Sequence, residues 1–190
     1  ASITVPLLLE RLGAEVIEVK KKRPLDCAKK ENVSYLPRKL KKEKGDIAIA
    51  FDTDADRLAV FDKKGEWVSG DELFCLVDNL LVKKGDKVVA SIDTSRMLER
   101  STKGEIIYTK IGDPFVISAA LREGAVLAGE PNGHYCLPEF VAYNSATFFS
   151  LLIAGMANKL HEKREKLPKV FVKREEIVVP NPQIKMERIK

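Results

Sequence analysis

The stretch that most constrains this chain is Asp46-Ile-Ala-Ile-Ala-Phe-Asp52-Thr-Asp54-Ala-Asp56-Arg57, an apolar run ending in aspartates at alternate positions and an arginine. Ile47 to Phe51 is apolar throughout, with a Lys-Gly turn before it and polar residues after it, and reads as a buried strand. The loop that follows then lies at the carboxyl end of a strand, where open α/β sheets place their ligands. Carboxylates crowded onto so short a loop repel one another unless a cation or protons neutralise them. Only oxygen donors are offered, which favours a hard cation, Mg²⁺ ahead of Ca²⁺, and disfavours Zn²⁺ for want of nitrogen or sulfur. Arg57 is a poor metal ligand but a good fork for phosphate. A cation site beside an arginine suggests phosphoryl chemistry.

Other readings compete for the same loop. A calcium-binding EF-hand needs Gly at its sixth position and Glu at its twelfth, where this chain has Arg57 and Lys63, so it is excluded. A strand followed by Asp-x-Asp also resembles the start of a haloacid-dehalogenase-type phosphatase with Asp52 as nucleophile, although Asp56 departs from that motif. The plainest alternative is a solvated acidic turn between two strands, because Arg-Leu-Ala-Val-Phe-Asp resumes an apolar run at once.

The 190 residues are enough for one ample core or two small ones. With 45% hydrophobic and 32% charged residues, the composition is that of a soluble globular chain. The net charge of +5 comes from Lys- and Arg-rich turns and ends without aromatic platforms, a solvated surface rather than a nucleic-acid face. Cys27, Cys75 and Cys136 lack metal-ligand spacing and suggest no disulfide framework, which fits a reducing cytoplasm. No signal peptide and no apolar run of membrane-spanning length are visible. Abundant Lys and Glu with a single Gln fit heat adaptation.

Along the chain, the spacing of Val5, Leu8, Leu9 and Leu12 predicts a helix stopped by Gly13, then a strand over Ala14–Val19 and a basic loop over Lys20–Val33. Leu36–Lys44 reads as a helix with Pro37 in its first turn and Gly45 ending it. Strands at Asp46–Phe51 and Leu58–Asp62 are expected to form a hairpin across the acidic loop. Ser69-Gly70-Asp71 reads as a hinge and N-cap before an amphipathic helix over Glu72–Val82. The pattern then alternates: strand Lys87–Ile92, helix Ser95–Ser101, strand Glu105–Tyr108, helix Pro114–Arg122, strand Ala125–Ala128 and a long helix Ala146–Lys163. Such alternation implies an α/β fold with a largely parallel sheet. A last strand is expected at Ile177–Val179, Cys75 in a core, Trp67 packed at the hinge, and His161 on the surface among Lys and Glu.

Two further loops carry chemistry. Thr109-Lys110-Ile111-Gly112-Asp113-Pro114 lies between a strand and a helix, where backbone amides and Lys110 offer an anion site, or simply a plain connection with a surface lysine. Gly129-Glu130-Pro131-Asn132-Gly133-His134 brings together groups that bind sugar hydroxyls: Glu130 accepts, and Asn132 donates and accepts. His134 suits a general acid or base, and equally a structural histidine capping a turn.

These three loops, in this order, resemble the α-D-phosphohexomutase family of phosphoglucomutases, phosphomannomutases and phosphoglucosamine mutases. The matching segments are Asp52-Thr-Asp54-Ala-Asp56-Arg57-Leu58 with Ser69-Gly70-Asp71 downstream, Thr109-Lys110-Ile111-Gly112-Asp113, and Gly129-Glu130-Pro131-Asn132-Gly133-His134. The resemblance implies two small three-layer α/β domains with mixed, largely parallel sheets, the first truncated at its N-terminus. Residues 1–69 would be part of the family's second domain, 70–168 its third, and 169–190 a linker and the first strand of its fourth. It implies that Asp52, Asp54 and Asp56 hold Mg²⁺ and that Arg57 contacts a metal-bound phosphoserine. Glu130 and Asn132 would grip sugar hydroxyls, while Lys110, Gly112, Asp113 and His134 line the cleft. The implied reaction moves a phosphoryl group between the 1- and 6-positions of a glucose, mannose or glucosamine phosphate through a bisphosphate.

Departures are Asn132 where serine is usual and Asn144-Ser145-Ala146 where Asp-Gly is common. Neither a Ser-His-Asn-Pro-like phosphoserine loop nor an Arg-x-Ser-Gly-Thr-like phosphate clamp is found. The chain alone is therefore expected to be catalytically incomplete and to need the absent mutase domains, or a homo-oligomer, as partners. A module that only binds metal or phosphosugar, and the phosphatase, are the alternatives.

Overall fold

The computed structural model describes residues 1–19 and 26–173. The strand expected at Ile177–Val179 and part of the basic loop fall outside them. Helices α1 (Thr4–Arg11), α2 (Lys30–Val33) and α3 (Leu36–Glu43) lead into a sheet of β1 (Ile47–Phe51), β2 (Leu58–Asp62) and β3 (Trp67–Val68). Helix α4 (Gly70–Leu81) then opens a second unit of β4 (Lys87–Ser91), α5 (Arg96–Ser101), β5 (Glu105–Thr109), α6 (Asp113–Glu123), β6 (Leu127–Gly129) and β7 (Tyr135–Cys136). Helices α7 (Ala146–Ala154) and α8 (Leu160–Glu165) close the fold, which is α/β as expected.

The first sheet is ordered β1-β2-β3 and antiparallel throughout, a correction to the largely parallel expectation. Connections of a few residues, such as Lys63-Lys-Gly65-Glu66, join its strands, and links that short form hairpins rather than parallel crossovers. The expected hairpin over the acidic loop forms, with Phe51 opposite Leu58 and Ile47 opposite Asp62. Strand β2 is buried along its length because both faces are covered. Ala59 and Phe61 pack with Leu36 and Leu40 of α3, whereas Leu58 and Val60 join Leu73, Phe74, Phe149 and Ile153. That second cluster continues through Val88, Ala90 and Leu127, so one apolar core runs beneath both sheets.

The second sheet is ordered β5-β4-β6-β7, with β4 parallel to β5 and β6, and β7 antiparallel. The chain leaves β4 for β5 on one side and returns to β6 on the other. This makes the carboxyl end of β4 a topological switch point, where such sheets open a crevice.

Several local expectations are corrected. No strand forms over Ala14–Val19: the segment is almost entirely exposed and pairs with no strand among the described residues, so its backbone has no ladder to join. Residues Lys30–Val33 are one helical turn rather than loop. Helix α3 ends on Lys44 in the left-handed conformation (φ 53°), one residue before Gly45. Ser69, not a residue after the hinge, is the N-cap of α4, in a capping box with Glu72. The long helix divides: α7 stops at Gly155, and a 3-10 turn over Ala157–Lys159 precedes α8. Gly155 and Asn158 are weak helix formers, and the break turns His161 and Arg164 toward β2. His161 is thus buried against Asp62 instead of lying on the surface. Cys75 is in the core, as expected, and Trp67, expected to pack at the hinge, lies edge-on to Phe61 of β2.

Candidate active site

The acidic loop is the connection of the β1–β2 hairpin. Ala55 reverses it in the left-handed region (φ 62°), and Arg57 N–H donates to Asp52 Oδ1 at 3.2 Å. Carboxylate oxygens of Asp52, Asp54 and Asp56 lie within 4.8 Å of one another. Among the described residues, Asp56 Oδ1 is buried without a hydrogen-bond partner. Its carboxyl is pushed above the usual range by burial and by Asp52 and Asp54, with His134 pulling the other way. An oxygen-only set with an orphaned buried oxygen fits a hard divalent cation. Arg57 Nε donates to Asp52 Oδ2 at 2.6 Å, and its Nη1 lies 3.4 Å from Asp26 Oδ1. Asp26 was not signalled by sequence; it sits 31 residues from Arg57 in a basic stretch without a motif.

The Gly129–His134 loop follows β6, next to the switch point. Arg57 and His134 form an isolated antiparallel β-bridge, which joins it to the acidic loop. Glycine is required at two places here. Gly133 has φ 101°, and a Cβ there would stand 2.8 Å from the Leu58 carbonyl oxygen. A Cβ on Gly70 would occupy the Pro131 carbonyl. Tyr135, fully buried against Phe74 and Phe149, donates its hydroxyl to the Gly70 carbonyl at 2.7 Å and fixes the same junction.

His134 stands between the loops. Its Nε2 is 3.2 Å from Asp56 Oδ2, and its Nδ1 is 2.7 Å from Asp113 Oδ1 and 3.3 Å from Glu130 Oε2. Burial alone would lower its pKa, but Glu130, Asp113 and Asp56 outweigh it and hold the imidazolium above its ordinary value. Glu130, only 1% exposed, is held at about 2: burial opposes ionisation, yet bonds from His134, Asp113 and the Gly112 amide prevail. Asp113 is pushed up by burial and by Glu130.

Two expectations need revision. The Gly112 N–H donates to Glu130 Oε1 at 2.7 Å, so this helix terminus is not the open anion site that its sequence suggests. The Glu130 carboxylate, 1% exposed, is turned into the protein against Gly112 and His134. Asn132 is exposed, its Oδ1 accepting from His134 N–H at 3.1 Å. Lys110 stands apart from the cluster, exposed, with Nζ 5.7 Å from the Phe115 ring centre. It rims an open depression of about 480 Å³ lined by Ile92, Tyr108, Thr109 and Phe115.

The family model described as phosphoglucomutase/phosphomannomutase, alpha/beta/alpha domain III, matches residues 69–173. The chain belongs to the α-D-phosphohexomutase family. A family relative in Pyrococcus abyssi, named a probable phosphoglucosamine mutase, is 31% identical over 95% of this chain and 43% of its own length. One of the same name in Methanosarcina barkeri is 34% identical over 89% of this chain and 41% of its own length. This phosphohexomutase chain thus spans less than half the length of these curated relatives. In structure it is similar to a phosphoglucomutase/phosphomannomutase family protein from Burkholderia thailandensis (TM-score 0.80, 24% identity, 90% of this chain and 41% of that one). It also resembles a putative phosphomannomutase from Thermus thermophilus (TM-score 0.71, 20% identity, 85% of this chain and 41% of that one). Among the described residues, no helix is long and apolar enough to cross a membrane.

Proposed function

We propose that this chain is the metal-holding and sugar-contacting core of a Mg²⁺-dependent, cytoplasmic phosphohexomutase. Residues 1–69 carry the metal loop, 70–168 the sugar loop, and 169–190 lead toward a further domain. Glucosamine phosphate is the favoured substrate because the matched relatives carry that name. The observation that carries the reading is His134, which contacts Asp56 of the metal loop and Asp113 and Glu130 of the second unit at once.

Asp52, Asp54 and Asp56 would hold Mg²⁺, which when bound supplies positive charge against phosphoryl oxygens. Arg57, anchored by Asp52, aims a guanidinium at the same side. His134, whose pKa is raised by its carboxylate neighbours, would be a donor for a sugar or phosphoryl oxygen. Glu130 keeps Gly112 and His134 in place and is an acceptor for a hydroxyl that displaces the amide, while exposed Asn132 is a second sugar contact. Lys110 offers a point charge to the non-reacting phosphate. A phosphatase acting through Asp52 fits less well, because Asp56 departs from the motif that such a phosphatase carries.

The test is interconversion of glucosamine 6-phosphate and 1-phosphate by this chain alone and after the domains that a relative carries outside the matched span are joined to it. The isolated chain is expected to be silent and the completed protein active with Mg²⁺. Silence of a folded, completed protein would favour a module that only binds metal or phosphosugar.

A further inference from the structure

We propose that Arg164 is a positioning residue that locks the Ser69–Gly70 connection from behind and so keeps the acidic loop and the His134 loop in register. Asp62, 0% exposed, lies at the end of β2 remote from Arg57. Its Oδ1 accepts the amides of Lys64 and Glu66, each at 3.0 Å. Its Oδ2 lies 2.6 Å from Arg164 Nη1 and 2.7 Å from His161 Nδ1. The same guanidinium donates from Nε and Nη2 to Glu72 Oε1 at 3.2 and 3.1 Å, and from Nη2 to the Trp67 carbonyl at 3.1 Å. The other Glu72 oxygen accepts the Ser69 amide at 2.7 Å. A single side chain thereby joins β2, the β2–β3 hairpin, the first turn of α4, and α8.

Asp62, Glu66 and His161 also have the makings of a metal cluster, but the guanidinium already occupies Asp62 Oδ2, which leaves the ionic reading. Removing charges from water offsets much of what such a pair gains, so its use lies in fixing one arrangement. In the connection itself, Gly70 is wedged against Pro131 and held by the Tyr135 hydroxyl. The link is thus tied through Ser69 and Glu72 to Arg164 and through Gly70 to Pro131 and Tyr135. The consequence for catalysis rests on the function proposed above; the lock itself does not.

The test is a distance distribution between spin labels at Lys41→Cys on α3 and Arg122→Cys on α6, both exposed, the native cysteines being buried. The parent should give one narrow peak. Arg164→Met should at least double its width. Arg164→Lys, which keeps a charge for Asp62 but loses the fork to Glu72 and Trp67, should fall between. An unchanged width in folded Arg164→Met, or in Arg164→Lys should the former not fold, overturns the proposal, whatever the outcome of any activity assay.

Discussion

Arg57 and His134 face one another as an antiparallel β-bridge, although one ends the hairpin loop of the first sheet and the other ends the loop after β6 of the second. The pairing gives the site a common backbone. Acids that would hold a cation and the His134 imidazole are brought together by main chain rather than by flexible side chains alone. Across the bridge His134 places Nε2 3.2 Å from Asp56 Oδ2, while Asp56 Oδ1 has no hydrogen-bond partner among the described residues.

Gly133→Ala tests that bridge. Gly133 is left-handed at φ 101°, and a methyl group there meets the Leu58 carbonyl oxygen at 2.8 Å. Backbone strain of this kind costs about 1–3 kcal/mol. The variant is expected to melt several degrees below the parent and to lose affinity for Mg²⁺ because Arg57 and His134 separate. An unaltered melting temperature would show that the loops do not interlock.

Asp56→Asn separates stability from metal binding. Burial and the charges of Asp52 and Asp54 push the Asp56 carboxyl up despite His134, so its ionised form is disfavoured in the metal-free fold. A neutral isostere should leave the metal-free melting temperature unchanged or raised. It should also abolish the rise in melting temperature expected of the parent in millimolar Mg²⁺. Thermal unfolding with and without Mg²⁺ checks both halves.

The acidic loop was legible in sequence because its chemistry is local: the aspartates and Arg57 sit on one hairpin, and the flanking apolar runs reveal the strands. The alternation from Lys87 to Ala128 was legible for the same reason. What stayed hidden depends on distant residues. Asp62 and Arg164 are 102 residues apart, and no periodicity marks α8 as a helix whose charged face turns inward. His161, set among Lys and Glu, looks like surface until α7 ends at Gly155 and α8 swings back to β2. Strand β7, only Tyr135-Cys136, is too short to show a period. The strand read at Ala14–Val19 has the right alternation, but a ladder needs a partner that a single segment cannot reveal.

Acid should release the Gly129–His134 loop before the rest of the fold. Glu130 is held at about 2, below its ordinary 4.5, so its contribution is full above 4.5 and is lost as pH falls toward 2. Urea unfolding of the parent between pH 5 and 2 should show this loss, on the order of 1–3 kcal/mol. Glu130→Gln should be less stable at pH 6 and flatter across that window. Parallel profiles for the two proteins would mean that Glu130 does not anchor Gly112 and His134.

Asp78 should act in the opposite sense. Burial between α4 and α5 raises its carboxyl from 3.8 to about 6, while Thr102 Oγ1 donates to Oδ1 at 2.8 Å and Oδ2 has no hydrogen-bond partner among the described residues. A raised carboxyl is tolerated when protonated and costs stability once ionised, so the penalty grows as pH rises from about 4 through 6 and is complete above that. The penalty is on the order of 2–3 kcal/mol for a shift of this size. Asp78→Asn keeps an oxygen for Thr102 and removes the charge. It should gain on the parent between pH 5 and 8, with the difference levelling off above pH 7. Denaturant midpoints at these pH values decide the matter. A variant that gains nothing at pH 8 would mean that water reaches the Asp78 carboxylate and relieves its burial.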